Sequence, residues 1–121
     1  MNGRRVGSMS LRLDAAYCAA TAILVAMFAT LLADALGTSP VVLLVVALLV
    51  GVWAAILRFG STRFALRPML WTVMSANVVG AVAIGLLALV VPNAALSILI
   101  AAISLEVAAF ACSQALSLRT L

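Results

Sequence analysis

Four long apolar runs fill this chain, covering about residues 15–36, 41–57, 69–91 and 94–118. Each is close to the roughly 20 residues that a helix needs to cross about 30 Å of hydrocarbon at 1.5 Å per residue. None alternates apolar and polar residues as a half-buried strand would, and an open sheet would leave backbone groups unpaired in lipid. Helix breakers mark the joints at Gly37-Thr38-Ser39-Pro40, Gly60-Ser61-Thr62 and Pro92-Asn93. Pro40 suits the first turn of the second helix, where a missing N–H costs nothing, and Asn93 is a natural cap for the fourth. The pattern predicts an all-α four-transmembrane-helix bundle, up-down-up-down with short loops, preceded by a tail over residues 1–13. Short loops favour antiparallel packing of neighbouring helices.

Composition makes the lipid bilayer the first partner. Hydrophobic residues are 68% of the 121 and charged residues 8%, against about 45–50% and about 25% in a soluble domain. A chain this short cannot hide that much apolar surface from water. The net charge of +4 does not point to nucleic acid, because the arginines are few and sit at helix ends. With no lysine and abundant Ala, Val and Leu, the composition fits a GC-rich bacterial gene.

The arginines also set an orientation. Arg4, Arg5 and Arg12 precede the first run, Arg58, Arg63 and Arg67 lie between the second and third, and Arg119 follows the fourth. By the positive-inside rule both termini and the middle loop are expected in the cytoplasm of a cell with a plasma (inner) membrane. Trp53 and Trp71 fall near those ends, as interfacial anchors would. Arg4-Arg5 and Ala33-Asp34-Ala35 resemble parts of a cleaved signal, but the first apolar run is too long for one. Met9 is an alternative start, which would leave residues 1–8 as a poorly ordered extension.

The most informative residue is Glu106, placed by count near the middle of the fourth run. An acid there is costly and is expected to face the bundle interior or a wet cavity, protonated or strongly hydrogen-bonded. Ala102, Glu106, Ala109 and Ser113 recur at helical spacing as a small, partly polar stripe that would let another helix approach. Asn77, with Ser75 nearby, is the expected partner from the third helix. Asp14, Tyr17, Cys18 and Thr21 lie nearer the cytoplasmic surface, level with Ser113 and Gln114. Glu106, Asn77, Ser113, Gln114, Tyr17 and Thr21 are therefore the ligand or proton candidates. The plain alternative is a Glu106–Asn77 hydrogen bond that fixes helix register. Asp14 reads as a first-turn residue favoured by the helix dipole, Asp34 as interfacial, and Cys18 and Cys112 as small packing residues. Ala76, Gly80 and Gly85 mark close helix contact.

Enzyme templates find no purchase. There is no histidine base, no pair of mid-membrane acids and no phosphate-cradling glycine loop, and two cysteines without histidine make a poor metal site. No metal or other cofactor is expected.

Leu11-Arg12-Leu13-Asp14-Ala15-Ala16-Tyr17 and Leu105-Glu106-Val107-Ala108-Ala109-Phe110, in a chain with four short-looped spans, resemble small bacterial four-helix membrane proteins of actinobacterial type, DoxX-like in outline. The resemblance implies the same bundle and carries no substrate or site residue. The small multidrug resistance transporters share length and helix count. Their essential glutamate lies in the first helix, where this chain has no acid from Thr21 to Met27. Leu31-Leu32-Ala33 before Pro40 and Leu86-Leu87-Ala88 before Pro92 hint at two related hairpins. The functions left open are an accessory, assembly or self-associating subunit, such as a homo-oligomer or part of a larger membrane complex, and a small transporter or ligand binder using Glu106.

Overall fold

The computed structural model describes residues 2–121. Five helices follow in order: α1 (Gly3–Met27), α2 (Ala29–Leu36), α3 (Pro40–Arg63), α4 (Leu66–Val90) and α5 (Ala94–Thr120). Among the described residues there is no strand. Four of the helices, α1, α3, α4 and α5, are long and apolar enough to cross a membrane. The first apolar run is shared between α1 and α2. The helix is distorted at Phe28, yet the Phe28 N–H still donates to the Leu24 carbonyl at 3.0 Å, and the Leu32 N–H to the Phe28 carbonyl at 2.9 Å.

Local chemistry sets the ends. Gly37 takes the left-handed conformation at φ 71°. Its N–H reaches the Asp34 carbonyl and the Thr38 N–H reaches the Ala33 carbonyl, closing α2 with a Schellman motif. Ser39 caps α3 through the Val42 N–H with Pro40 in the first turn, and Asn93 caps α5 through the Leu96 N–H at 3.0 Å.

Two boundaries differ from those the apolar pattern predicts. The middle connection is not an eleven-residue loop over 58–68 but the pair Phe64-Ala65 between α3 and α4. Ser61 and Thr62 do not break α3, because their hydroxyls donate to the Arg58 and Phe59 carbonyls one turn back. Pro68 is tolerated in the first turn of α4. Nor are residues 3–13 a tail. They form the first turns of α1, with Gly3, Gly7, Ser10 and Leu11 buried. Gly7 lies against Ser117 and Leu70, and Ser117 donates its hydroxyl hydrogen to the Gly3 carbonyl. A tail would have no reason to carry glycine at these positions; a packed helix has one, since a Cβ on Gly7 would come within 2.9 Å of Leu70 Cδ1.

The helices pair as two antiparallel hairpins, α1/α2 with α3 and α4 with α5. α1 also packs along α5 and joins the hairpins. Sequence neighbours α3 and α4 touch little beyond their turn, where Gly60 lies against Met69, so the expected packing of every neighbouring pair fails here. One apolar cluster (Leu11, Ala15, Leu57, Met69, Leu70, Val73 and Leu118) fills the end carrying all seven arginines. Trp53 packs against it, whereas Trp71 projects outward. A smaller cluster of Ala29, Ala33 and Leu43 fills the other end.

Between α4 and α5 the contact is made by small residues. Ser104 donates to the Ala81 carbonyl at 2.7 Å and faces Gly85, and Ser97 donates to the Ala88 carbonyl. Ser104→Ala is expected to lower stability by about 0.6 kcal/mol, the usual worth of one interhelical bond in a bilayer; reversible unfolding in mixed micelles measures it. Large side chains such as Ile23, Leu48, Val79, Leu89 and Leu105 point outward. That arrangement suits a multi-pass membrane protein, whose helix exteriors meet lipid.

Candidate functional site

The polar residues of the arginine-bearing half separate into two groups. The first is buried. Asp14 from α1, Asn77 from α4 and Gln114 from α5 are 1%, 6% and 0% exposed. Asn77 Nδ2 donates to Asp14 Oδ2 at 2.7 Å and to Gln114 Oε1 at 3.0 Å. Gln114 Nε2 donates to the same Asp14 oxygen at 3.1 Å, and the Cys18 thiol donates to Asp14 Oδ1 at 3.5 Å. Among the described residues no buried side-chain polar atom lacks a partner. The cluster ties α1 of one hairpin to both helices of the other, in a setting where an unmade hydrogen bond is costly.

The second group lines a groove of about 640 Å³ between α1 and α5. Glu106, Tyr17, Phe110 and Ala109 form its inner part, with Ser10 and Ser113 midway and Arg5 at the arginine end. The Ser113 hydroxyl donates to the Phe110 carbonyl at 2.8 Å, so Ser10 is the donor in the 2.7 Å bond between the two serines. The Tyr17 and Phe110 rings meet edge to face, centroids 5.6 Å apart, beside Glu106.

Two expectations change. Of the two settings expected for Glu106, the bundle interior and a cavity, it takes the second: it is exposed on the groove wall and does not meet Asn77. Along the chain it does lie near the middle of α5, as its position in the apolar run predicts. It stands opposite Tyr17 of α1. Asp14 is no surface first-turn residue, because α1 begins at Gly3 and the carboxyl is sealed in the cluster.

Helix phase explains the outcome. Glu106 and Gln114 are eight residues apart, about 80° around α5, whereas Glu106 and Ser113, seven apart, differ by about 20°. Ala111, Gln114, Ser117 and Leu118 form the buried face. The stripe of Ala102, Glu106, Ala109 and Ser113 is real but looks outward. Of the sequence candidates, Asn77 and Gln114 join the buried cluster, while Glu106, Tyr17 and Ser113 share the groove. Thr21 is half-buried and lines neither. Sequence reasoning missed Asp14, although its level with Gln114 along the helices was the available signal. Both cysteines are free, Cys18 half-buried and Cys112 exposed rather than packed.

No family model, curated protein or solved structure matches this chain.

Proposed function

We propose that the chain is a non-enzymatic integral membrane subunit that associates with a partner in the bilayer, a second copy or another membrane protein, through the outer face of α1 and α5. Glu106 carries this reading. A carboxyl exposed on an apolar wall inside the membrane is costly; among the described residues only the Tyr17 hydroxyl lies beside it, and a donor on a partner helix would satisfy the face left open. Ala102 and Ala109 beside it let another helix come close. The arginine end is placed in the cytoplasm of a plasma (inner) membrane, with both termini on that side. In mild detergent and in lipid nanodiscs the protein is expected to run as a stable oligomer or larger complex, which Glu106→Ala dissociates without loss of helix content. A strictly monomeric wild-type particle without a partner would sink the reading.

One observation favours a second reading, a ligand binder. Tyr17 and Phe110 present two rings beside the carboxyl, a setting that suits an apolar cation. Tetraphenylphosphonium binding then falls about tenfold or more in Glu106→Gln, with folding intact. Equal binding by both proteins would remove the second reading and leave the first.

A further inference from the structure

A second groove, of about 570 Å³, runs between α1 and α3 on another face of the bundle. Arg12 of α1 and Arg58 of α3 line it at the arginine end. Both side chains are exposed. Below them the walls are small: Ala16 and Ala19 on α1, Gly51 and Ala55 on α3. Gly51 leaves the trench open, since even a Cβ there would meet only the Ala22 methyl, at an ordinary contact distance of 3.8 Å. From Arg12 to Ala19, and from Arg58 to Gly51, is seven residues, a trench about 10 Å long.

Two arginines line this groove without an acid beside them. The chain has three acids. Asp14 is sealed in the buried cluster, Asp34 lies at the opposite end of α2, and Glu106 lines the other groove. No acid lines this one. Like charges at the mouth of an apolar trench call for an anion that also carries an apolar chain. A second copy docked by the same face would bring four arginines together, so it is a poor occupant. A free phosphate would leave the trench unfilled.

We infer that the α1/α3 groove is a binding site for an anionic phospholipid of the leaflet at the arginine end, its phosphate between Arg12 and Arg58 and an acyl chain along the alanine-lined trench. Arginine pairs suit phosphate oxygens through their planar donor forks, and basic pockets between spanning helices recognise anionic head groups. The small walls supply what a surface charge alone does not, a slot that selects a lipid rather than an ion. The site is independent of Glu106 and of any partner on the α1/α5 face.

The test is lipid retention. The whole chain is assembled in nanodiscs containing phosphatidylglycerol and phosphatidylcholine, transferred to detergent, and read by native mass spectrometry. Retention of one phosphatidylglycerol per chain is expected. Arg12→Gln with Arg58→Gln lowers it about tenfold or more, whereas Arg63→Gln with Arg119→Gln, the same loss of charge outside the groove, leaves it in place. Ala16→Phe fills the trench at an exposed position without changing charge, and also lowers retention. Added inorganic phosphate does not displace the lipid. Equal losses from the two arginine pairs, retention unaffected by Ala16→Phe, or displacement by phosphate alone would each overturn the proposal. Circular dichroism of each variant checks that the helices persist.

Discussion

Replacing Asp14 with leucine is expected to destabilise the bundle by about 2 kcal/mol, at the modest end of the penalty for orphaned buried donors. The side chains are similar in size, so packing changes little. What is lost is the acceptor for Asn77 Nδ2, Gln114 Nε2 and the Cys18 thiol. Asn77 keeps one bond to Gln114, and the remaining amide hydrogens are left buried without that acceptor. Asp14→Asn keeps one carbonyl oxygen and costs about 1 kcal/mol or less. Reversible unfolding in mixed micelles, followed by the fluorescence of Trp53 and Trp71, gives both numbers. An Asp14→Leu protein as stable as wild type would place the acid outside the cluster.

Gly7→Leu is expected to cost about 2–3 kcal/mol, in the upper range for overpacking a close contact. A Cβ on Gly7 comes within 2.9 Å of Leu70 Cδ1 and closer still to the Ser117 hydroxyl. Ser117 cannot swing aside freely, because that hydroxyl donates to the Gly3 carbonyl. The damage falls on the contact among α1, α4 and α5 at the arginine end. Gly51→Ala is the contrast: it meets only Ala22 at 3.8 Å, and removing a helical glycine stabilises by about 0.5 kcal/mol. The same unfolding assay compares them. No effect of Gly7→Leu would return residues 3–8 to a loose extension.

These two positions also mark where the sequence could be read and where it could not. The spans were legible because length and hydropathy are set by the bilayer, and Pro40, Asn93 and Gly37 carry their cap chemistry in their own side chains or backbone. Residues 3–13 were illegible as helix because arginines and serines interrupt the apolar run, although helices extend past the hydrocarbon without difficulty. The shared level of Asp14, Cys18 and Gln114 could be counted along the helices. Which of Glu106 and Gln114 turns inward could not. In a soluble helix the polar face identifies the outside; here both faces are apolar, so the pattern carries no phase. That ambiguity led from the single mid-helix acid to an interior site, when a residue about 80° away around the same helix fills it.

Solid-state NMR of the uniformly labelled protein in bilayers tests this division between a sealed and an open carboxyl most directly. The chain has one glutamate, Glu106, and one glutamine, Gln114, so the side-chain correlations are unambiguous in kind. A through-space cross-peak from the Gln114 side-chain nitrogen to an aspartate carboxyl carbon is expected, with a second from an asparagine amide to the same carbon. A cross-peak from either amide to the Glu106 carboxyl carbon, with none to aspartate, would contradict the account.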